Sequence, residues 1–336
     1  MQHDIVPGTE PAAPTPSASA RAYRVRLLDA VPATLPAQTL VCVQHGGAML
    51  DDDDPRRVRI DTPVLAGRGV ELWESPLPVR HGRDDGIGYA ENGIVLFGQL
   101  HVADAALDDI DAASFEVYAR IERFLQRRGF GHTLRIWNFL SDITGGSGDA
   151  ERYRQFALGR HRALSLKDGF ERDLPAATAI GTRGDGLRIW FIAGNAPGLQ
   201  IENPRQISAF RYPRQYGPRS PSFSRAKLLR WLDGDELLVS GTASIVGHET
   251  VHAGSTLAQL DEAFANVDAL LDAAAPDTRL QPELVKLYLR HPADLPAVQA
   301  RLAARYGDAV PSMILHGDVC REALDVEIEA IFRHMN

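Results

Sequence analysis

One strand-like pattern in this sequence recurs. Residues 93–102 (GIVLFGQLHV) are echoed at residues 236–245 (ELLVSGTASI), and each copy is followed by a loop and an amphipathic segment. Phe115, Tyr118, Ile121, Phe124 and Leu125 recur at helical spacing in the first copy, and Leu257, Leu260, Phe264, Val267 and Leu271 in the second. Steps of three and four place such side chains on one helical face. A β-rich segment closes each unit, LRIWNFL at 134–140 and LVKLYL at 284–289. The chain is therefore expected to be α+β, with two similar modules, each a mixed sheet with helices packed on one face. Its 336 residues, 44% of them apolar, suffice for two such cores.

The second copy continues through a helix predicted over residues 294–306 to a strand over residues 325–332. The first runs instead into Gly145-Gly146-Ser147-Gly148, which lacks the Gly-Lys-Ser/Thr ending of a phosphate loop and reads as a connector. After it, residues 151–165 read as a helix, on which Tyr153 and Arg160, seven apart, share a face. The expected division is a flexible tail over residues 1–21, an N-terminal module over 22–148 and a C-terminal module over 149–336 that includes a linker helix at 149–170. No apolar run reaches membrane-spanning length, and the first twenty residues have neither a basic start nor an apolar core, so a cytoplasmic protein with no membrane partner is expected. The two cysteines, Cys42 and Cys320, are then expected to be reduced, with Cys42 in the apolar run TLVCVQ a core residue.

The chemistry concentrates near the C-terminus. Glu327 sits seven residues after Cys320, and in the segment DVEIEAIF Val326, Ile328 and Ala330 fall on one strand face and Glu327 and Glu329 on the other. Taken alone, this alternation also fits a solvated strand face. A second concentration lies at residues 204–232, where Arg205, Arg211, Arg214, Arg219, Arg225, Lys227 and Arg230 occur without an Asp or Glu in a chain of net charge -8. Interleaved aromatics and breaks at Pro213, Pro218 and Pro221 make it an ordered loop, and its company suits a small, doubly charged anion. An acidic whole, with pI about 5.8, gives no broad footprint for nucleic acid.

His248-Glu249-Thr250-Val251-His252 matches the zinc-protease pattern HExxH, which chelates metal when both histidines lie one helical turn apart. Bracketing glycines, β-branched Thr250 and Val251, and a preceding strand predict a hairpin beside a pocket here, and no metal site. Neither a Gly-x-Ser-x-Gly elbow nor a dinucleotide fingerprint is present, so no redox cofactor is expected.

The order of segments from Gly217 onward resembles the imine deaminases of the reactive-intermediate-deaminase superfamily, of chorismate-mutase-like fold, whose catalytic glutamate is the first Glu of a VEIEA-like strand. Glu327 takes that position. Those enzymes carry a carboxylate-clamping arginine two residues after the proline of the preceding strand, where this chain has Met313 after Pro311. Four longer motifs, FRYPRQYGPRSPSFSRA (210–226), SGTASIVGHET (240–250), LRIWNFLSDI (134–143) and RYRQFALGRHRAL (152–164), bring the resemblance closer, to the chorismatases, over about residues 22–336. That family removes pyruvate from chorismate. The resemblance implies a cofactor-independent lyase with Glu327 protonating the enolpyruvyl group, and Cys320 marks the branch that forms 3-hydroxybenzoate, with or without 4-hydroxybenzoate. It places Tyr153, Arg160, Tyr212, Arg214, Tyr216 and Arg225 around the substrate, with Arg211 and Arg219 as alternates. A diol-forming chorismate hydrolase and a non-catalytic small-molecule-binding protein are the rival expectations. Deaminase-like modules are commonly trimeric, so a homotrimer is expected, or a monomer if two modules in one chain satisfy that interface.

Overall fold

The computed structural model describes residues 20–47, 53–184, 186–276 and 279–334. The tail expected over residues 1–21 falls almost wholly outside them. Arg21, at its end, is buried and pairs with Glu236 at 2.7 Å and Glu283 at 2.5 Å, so it belongs to the folded body.

Seven strands come first: β1 (Arg24–Leu28), β2 (Thr39–His45), β3 (Arg57–Ile60), β4 (Val64–Gly67), β5 (Val70–Glu74), β6 (Arg80–Asp84) and β7 (Ile87–Glu91). Four of them make a small sheet in the order β1-β5-β2-β3. The first repeat then follows as β8 (Val95–Val102), α1 (Ile110–Arg128), β9 (His132–Ser141), α2 (Arg152–Leu164), β10 (Ala176–Thr182) and β11 (Leu187–Gly194). Asp109 caps the start of α1 by accepting from the Ala112 amide, and Gly129, at φ 78°, ends it in the left-handed conformation that favours glycine.

The second half holds β12 (Leu199–Ile201), β13 (Ala226–Trp231), β14 (Gly234–Ala243), the hairpin β15 (Ile245–Val246) and β16 (Glu249–Thr250), then α3 (Thr256–Ala274) and β17 (Leu280–Leu289). It ends with α4 (Leu295–Tyr306), β18 (Ser312–His316), β19 (Asp318–Val319) and β20 (Val326–His334). Its sheet contains the order β14-β20-β17-β18, and the first repeat's sheet contains β8-β11-β9-β10. In both, the first two pairings are antiparallel and the last is parallel across a helical crossover. The two units therefore share one topology.

The first sheet is built from strands on both sides of Gly148. A division after Gly148 would cut the first sheet, because α2 is its second crossover helix and β10 and β11 complete it through Gly194. The glycine run at 145–148 is a turn inside the first unit, with Gly146 at φ 89°.

Strand alternation sorts the cores. Ile189, Phe191 and Ala193 of β11 pack under α1 and α2, and Val326, Ile328 and Ala330 of β20 pack under α3 and α4. The opposite faces of both sheets, with Val41, Val43, Val58, Ile60 and Trp73 of the small sheet, enclose one shared core. At its centre Trp137 and Trp190 stack with ring centroids 3.6 Å apart. Among the described residues, no helix is long and apolar enough to cross a membrane.

Buried charge runs through this shared core. Lys286 of β17 lies 3.0 Å from Glu71 of β5 and 2.6 Å from Glu329 of β20. Arg135 of β9 reaches Glu329 at 2.7 Å, and the Trp137 indole donates to the same carboxylate at 2.8 Å. Such groups are tolerated in an apolar interior only when paired and hydrogen-bonded. Burial alone would raise the Glu71 pKa, but Lys286 and His45 hold it down at about 2.

Candidate active site

The edge of the first sheet meets the second unit through backbone and side-chain bonds. The Ser224 amide donates to the Pro175 carbonyl at 3.0 Å, the Ala177 amide donates to Ser240 Oγ at 2.8 Å, and β19 pairs antiparallel with β10. A cavity of about 490 Å³ opens along this seam. Helix α2 contributes Tyr153 and Arg160, β10 contributes Thr178, the segment 212–225 contributes Tyr212, Tyr216 and Arg225, and the second unit contributes Gly241, Cys320 and Glu327. Seven of the eight residues expected from sequence thus line one space.

Local packing explains how they get there. Gly159 lets α2 lie against α1, since a Cβ at that position would collide with the Asp111 carbonyl, and Arg160 follows it into the seam. The Cys320 loop is held by Arg290, which ion-pairs with Asp318 at 2.8 Å and donates to the carbonyls of Val319, Arg321 and Leu324. Glu327 enters from the shared-core face of β20, and Gly241 on the neighbouring strand leaves room for it: a Cβ there would strike Oε1. The Gly241 backbone angle is ordinary, so the requirement is for space.

Several buried polar atoms at the cavity have no hydrogen-bond partner among the described residues. They include Glu327 Oε1, Arg160 Nε and Nη2, and Arg225 Nε. Buried polar atoms are almost always satisfied, so a cluster of exceptions marks a place prepared for a ligand. Arg160 is 3% exposed and lies over the Tyr118 ring at 5.1 Å. Arg225 donates to the Tyr212 hydroxyl at 2.7 Å and the Ile207 carbonyl at 2.9 Å, which aims its guanidinium.

The acid–base properties follow from the same burial. Desolvation, reinforced by the neighbouring Glu329 carboxylate, pushes the Glu327 pKa up to about 8 against the opposing pull of Arg135 and Arg225. Glu327 is therefore predominantly a neutral acid at pH 7. Desolvation and Glu327 also push the Cys320 thiol up to about 12, despite Arg321 and Tyr153, so it is not a thiolate there. Burial likewise raises Tyr153 well above the ordinary phenol value.

Arg214 is the expected residue that the structure places elsewhere. Its side chain is 65% exposed and pairs with Asp149 at 2.5 Å, because residues 214–216 form a 3-10 turn that sends Tyr216 inward and Arg214 out. The arginine-rich segment does not act as one positive patch. Arg205 pairs with Glu262, Lys227 with Asp173, and the alternates Arg211 and Arg219 do not line the cavity. Met313 is fully buried in the shared core. The HExxH motif lies on the expected hairpin, with Glu249 and Thr250 in β16 and His252 at φ 60°, so the two histidines do not share a helix face.

Sequence reasoning missed Arg321. Its guanidinium lies 4.0 Å from the Tyr216 ring centroid and 5.2 Å from that of Tyr212, while Nη1 donates to the His248 carbonyl at 2.9 Å. It ties the aromatic loop, the hairpin and the Cys320 loop together at the cavity wall. Its position directly after Cys320 was the one available signal.

Comparison with known proteins decides the family. The chain is 34% identical over 306 residues to a protein named chorismatase from Streptomyces rapamycinicus, covering 85% of this chain and 89% of that one. The chain belongs to the chorismatase family. A 3-hydroxybenzoate synthase from Streptomyces hygroscopicus is 34% identical over 278 residues, covering 78% of this chain and 81% of the relative. A chorismatase crystal structure superposes with TM-score 0.82 at 30% identity, covering 94% of this chain and all of that one. The family model for the FkbO/Hyg5-like chorismatase N-terminal region matches residues 71–193. It ends one residue before the end of β11, the limit of the first repeat in this chorismatase-family fold.

Proposed function

We propose that the chain is a pyruvate-releasing chorismatase that converts chorismate to 3-hydroxybenzoate, with or without 4-hydroxybenzoate, with Glu327 as the acid and no cofactor. The observation that carries this reading is the unpartnered, buried Glu327 Oε1 on a cavity whose other orphan donors are arginine nitrogens. Chorismate brings two carboxylates and an enol ether, and each finds a complement. Arg160 presents Nε and Nη2, the edge that pairs with a carboxylate through two parallel hydrogen bonds. Arg225, aimed by Tyr212, is assigned to the second carboxylate.

The reaction then follows from proton placement. Glu327, neutral at pH 7, gives its proton to the methylene carbon of the enolpyruvyl group, leaving an oxocarbenium-like centre. The neighbouring ring hydroxyl oxygen attacks the ring carbon that bears the ether, so that ring carbon–oxygen bond breaks and pyruvate departs as the keto acid; the oxygen, now bridging two ring carbons, then releases its original carbon. The ring loses one proton as it becomes aromatic, restoring the acid, and no water is consumed. Water attack at the oxocarbenium centre would instead give pyruvate and a non-aromatic diol. The high pKa of Cys320 supports a role as a neutral thiol that shapes the space and excludes water, in place of a thiolate nucleophile. The name of the relative from Streptomyces hygroscopicus supports the same branch.

Incubation with chorismate, with pyruvate measured enzymatically and the ring product resolved by chromatography, tests the whole reading. Pyruvate with hydroxybenzoate is expected; pyruvate with the diol would move the chain to the hydrolytic branch. No pyruvate from a folded protein would remove the enzymatic reading.

A further inference from the structure

Behind Glu327, on the same face of β20, lies a second carboxylate that does not line the cavity. Glu329 is 2% exposed and is fixed by four partners: Arg135 at 2.7 Å, Lys286 at 2.6 Å, the Trp137 indole at 2.8 Å and the Thr178 hydroxyl. Thr178 is itself a cavity-wall residue, so the network touches the site at one point. Residues two apart on a strand face are separated by about 7 Å. In a dry interior, charges at that spacing act on each other strongly.

We infer that Glu329 is a positioning residue for the reaction, whose fixed negative charge keeps Glu327 in its acid form. This rests on the proposed role of Glu327 as the proton donor. The groups facing Glu327 are Glu329 on its own strand, Arg135 from β9, Tyr288 from β17, Arg225 from the segment before β13, Tyr153 from α2 and Cys320 from its loop. Arg135 and Arg225 favour the ionised form, yet neither hydrogen-bonds Glu327 Oε1. Arg135 instead spends its contacts on Glu329 and Thr178. The core network balances its charges, with Glu71 and Glu329 against Lys286 and Arg135. Neutralising Glu329 would leave two cations against one anion beside the acid, and Glu327 would ionise more readily. Four hydrogen-bonding partners hold Glu329 still, which lets it act as a constant field.

The experiment is the pH profile of kcat for pyruvate release from chorismate by the full chain, with folding checked by circular dichroism and thermal melting. Wild-type turnover should fall as pH rises through the pKa of the acid. Glu329→Gln should move that alkaline limb down by about one to two pH units, whereas Glu329→Asp, which keeps the charge, should leave it near its wild-type position. A purely structural role for Glu329 would lower turnover or stability without moving the limb. Should Glu329→Gln fail to fold, the double variant Glu329→Gln/Lys286→Met keeps the core charges balanced, and because Glu329 and not Lys286 is among the groups that act on Glu327, a smaller shift in the same downward direction is expected. A limb that stays in place in whichever variant folds overturns the inference. Glu327→Gln measured in parallel separates the two ideas, since a folded Glu327→Gln enzyme with near-normal turnover removes the acid assignment itself, whatever Glu329 does.

Discussion

Arg160 offers the sharpest separation between a residue that serves the fold and one that serves a ligand. Its guanidinium is almost wholly buried with Nε and Nη2 unpartnered, and its recorded ring contact is a cation–π contact with Tyr118. Replacing it by methionine keeps the length and apolar stem and retains contact with the aromatic ring. A cation–π contact contributes about 0.5–2 kcal/mol, and the removal of buried, unsatisfied donors offsets a loss of that size. The melting temperature of Arg160→Met should therefore stay close to wild type or rise. Binding should respond differently. Two charge-assisted hydrogen bonds to a carboxylate, at about 1.5–3 kcal/mol each, give a loss of about 3 kcal/mol or more, or roughly a hundredfold or more in affinity. Isothermal titration with chorismate in a Glu327→Gln background, where turnover is suppressed, reads the affinity, and calorimetric melting reads the fold. A variant that binds chorismate normally, or one that binds weakly only because it has lost several kcal/mol of stability, would refute the assignment.

The other expectations follow from the same cavity. Glu327→Gln should lower pyruvate release by about 100-fold or more, because an amide is not an equivalent proton donor. The stability sign runs the opposite way: a carboxyl raised from 4.5 to about 8 on folding binds its proton more tightly in the native state, so wild type loses stability as pH rises across that interval and Glu327→Gln should not. Melting curves of the pair at pH 5 and pH 9 check this; a difference unchanged by pH would contradict the raised pKa. Gly241→Ala should cut turnover while the chain remains folded, since the added methyl collides with Glu327 Oε1 and must displace the acid; normal kcat would show that the carboxyl position is not critical. Cys320→Ala should still release pyruvate but shift the ring product from hydroxybenzoate toward the diol, and an unchanged product mixture would reduce Cys320 to a packing residue.

Much of this was legible in the sequence because it rests on periodicity. The repeated strand–helix signals, the VEIEA alternation and the hairpin character of residues 245–250 all express backbone rules that act locally. The closing strand of the first unit escaped notice because β11 places Trp190 and Ile192 where β20 carries ionisable residues toward the shared core. Equivalent backbone roles filled by different chemistry leave no sequence echo. Arg214 and Arg225 look alike in the chain, yet one lies on the outer side of a 3-10 turn and the other ends a buried loop. The charge partners of Glu329 lie 43 and 194 residues away in sequence, at Lys286 and Arg135; strand pairing brings the first beside it, and the packing of one sheet against the other brings the second.

The position of the cavity on a seam between two repeats within one polypeptide has a consequence for how such a site can change. In an assembly of identical copies, each substitution is imposed on every equivalent wall at once, and symmetry multiplies its effects. Here the wall that carries Arg160 and the wall that carries Glu327 belong to different halves of one chain and accept substitutions independently. A lopsided molecule, with anionic groups at some points and a proton-hungry carbon at another, calls for walls of unlike chemistry. Covalent fusion lets one scaffold supply them while the shared topology of the halves stays intact.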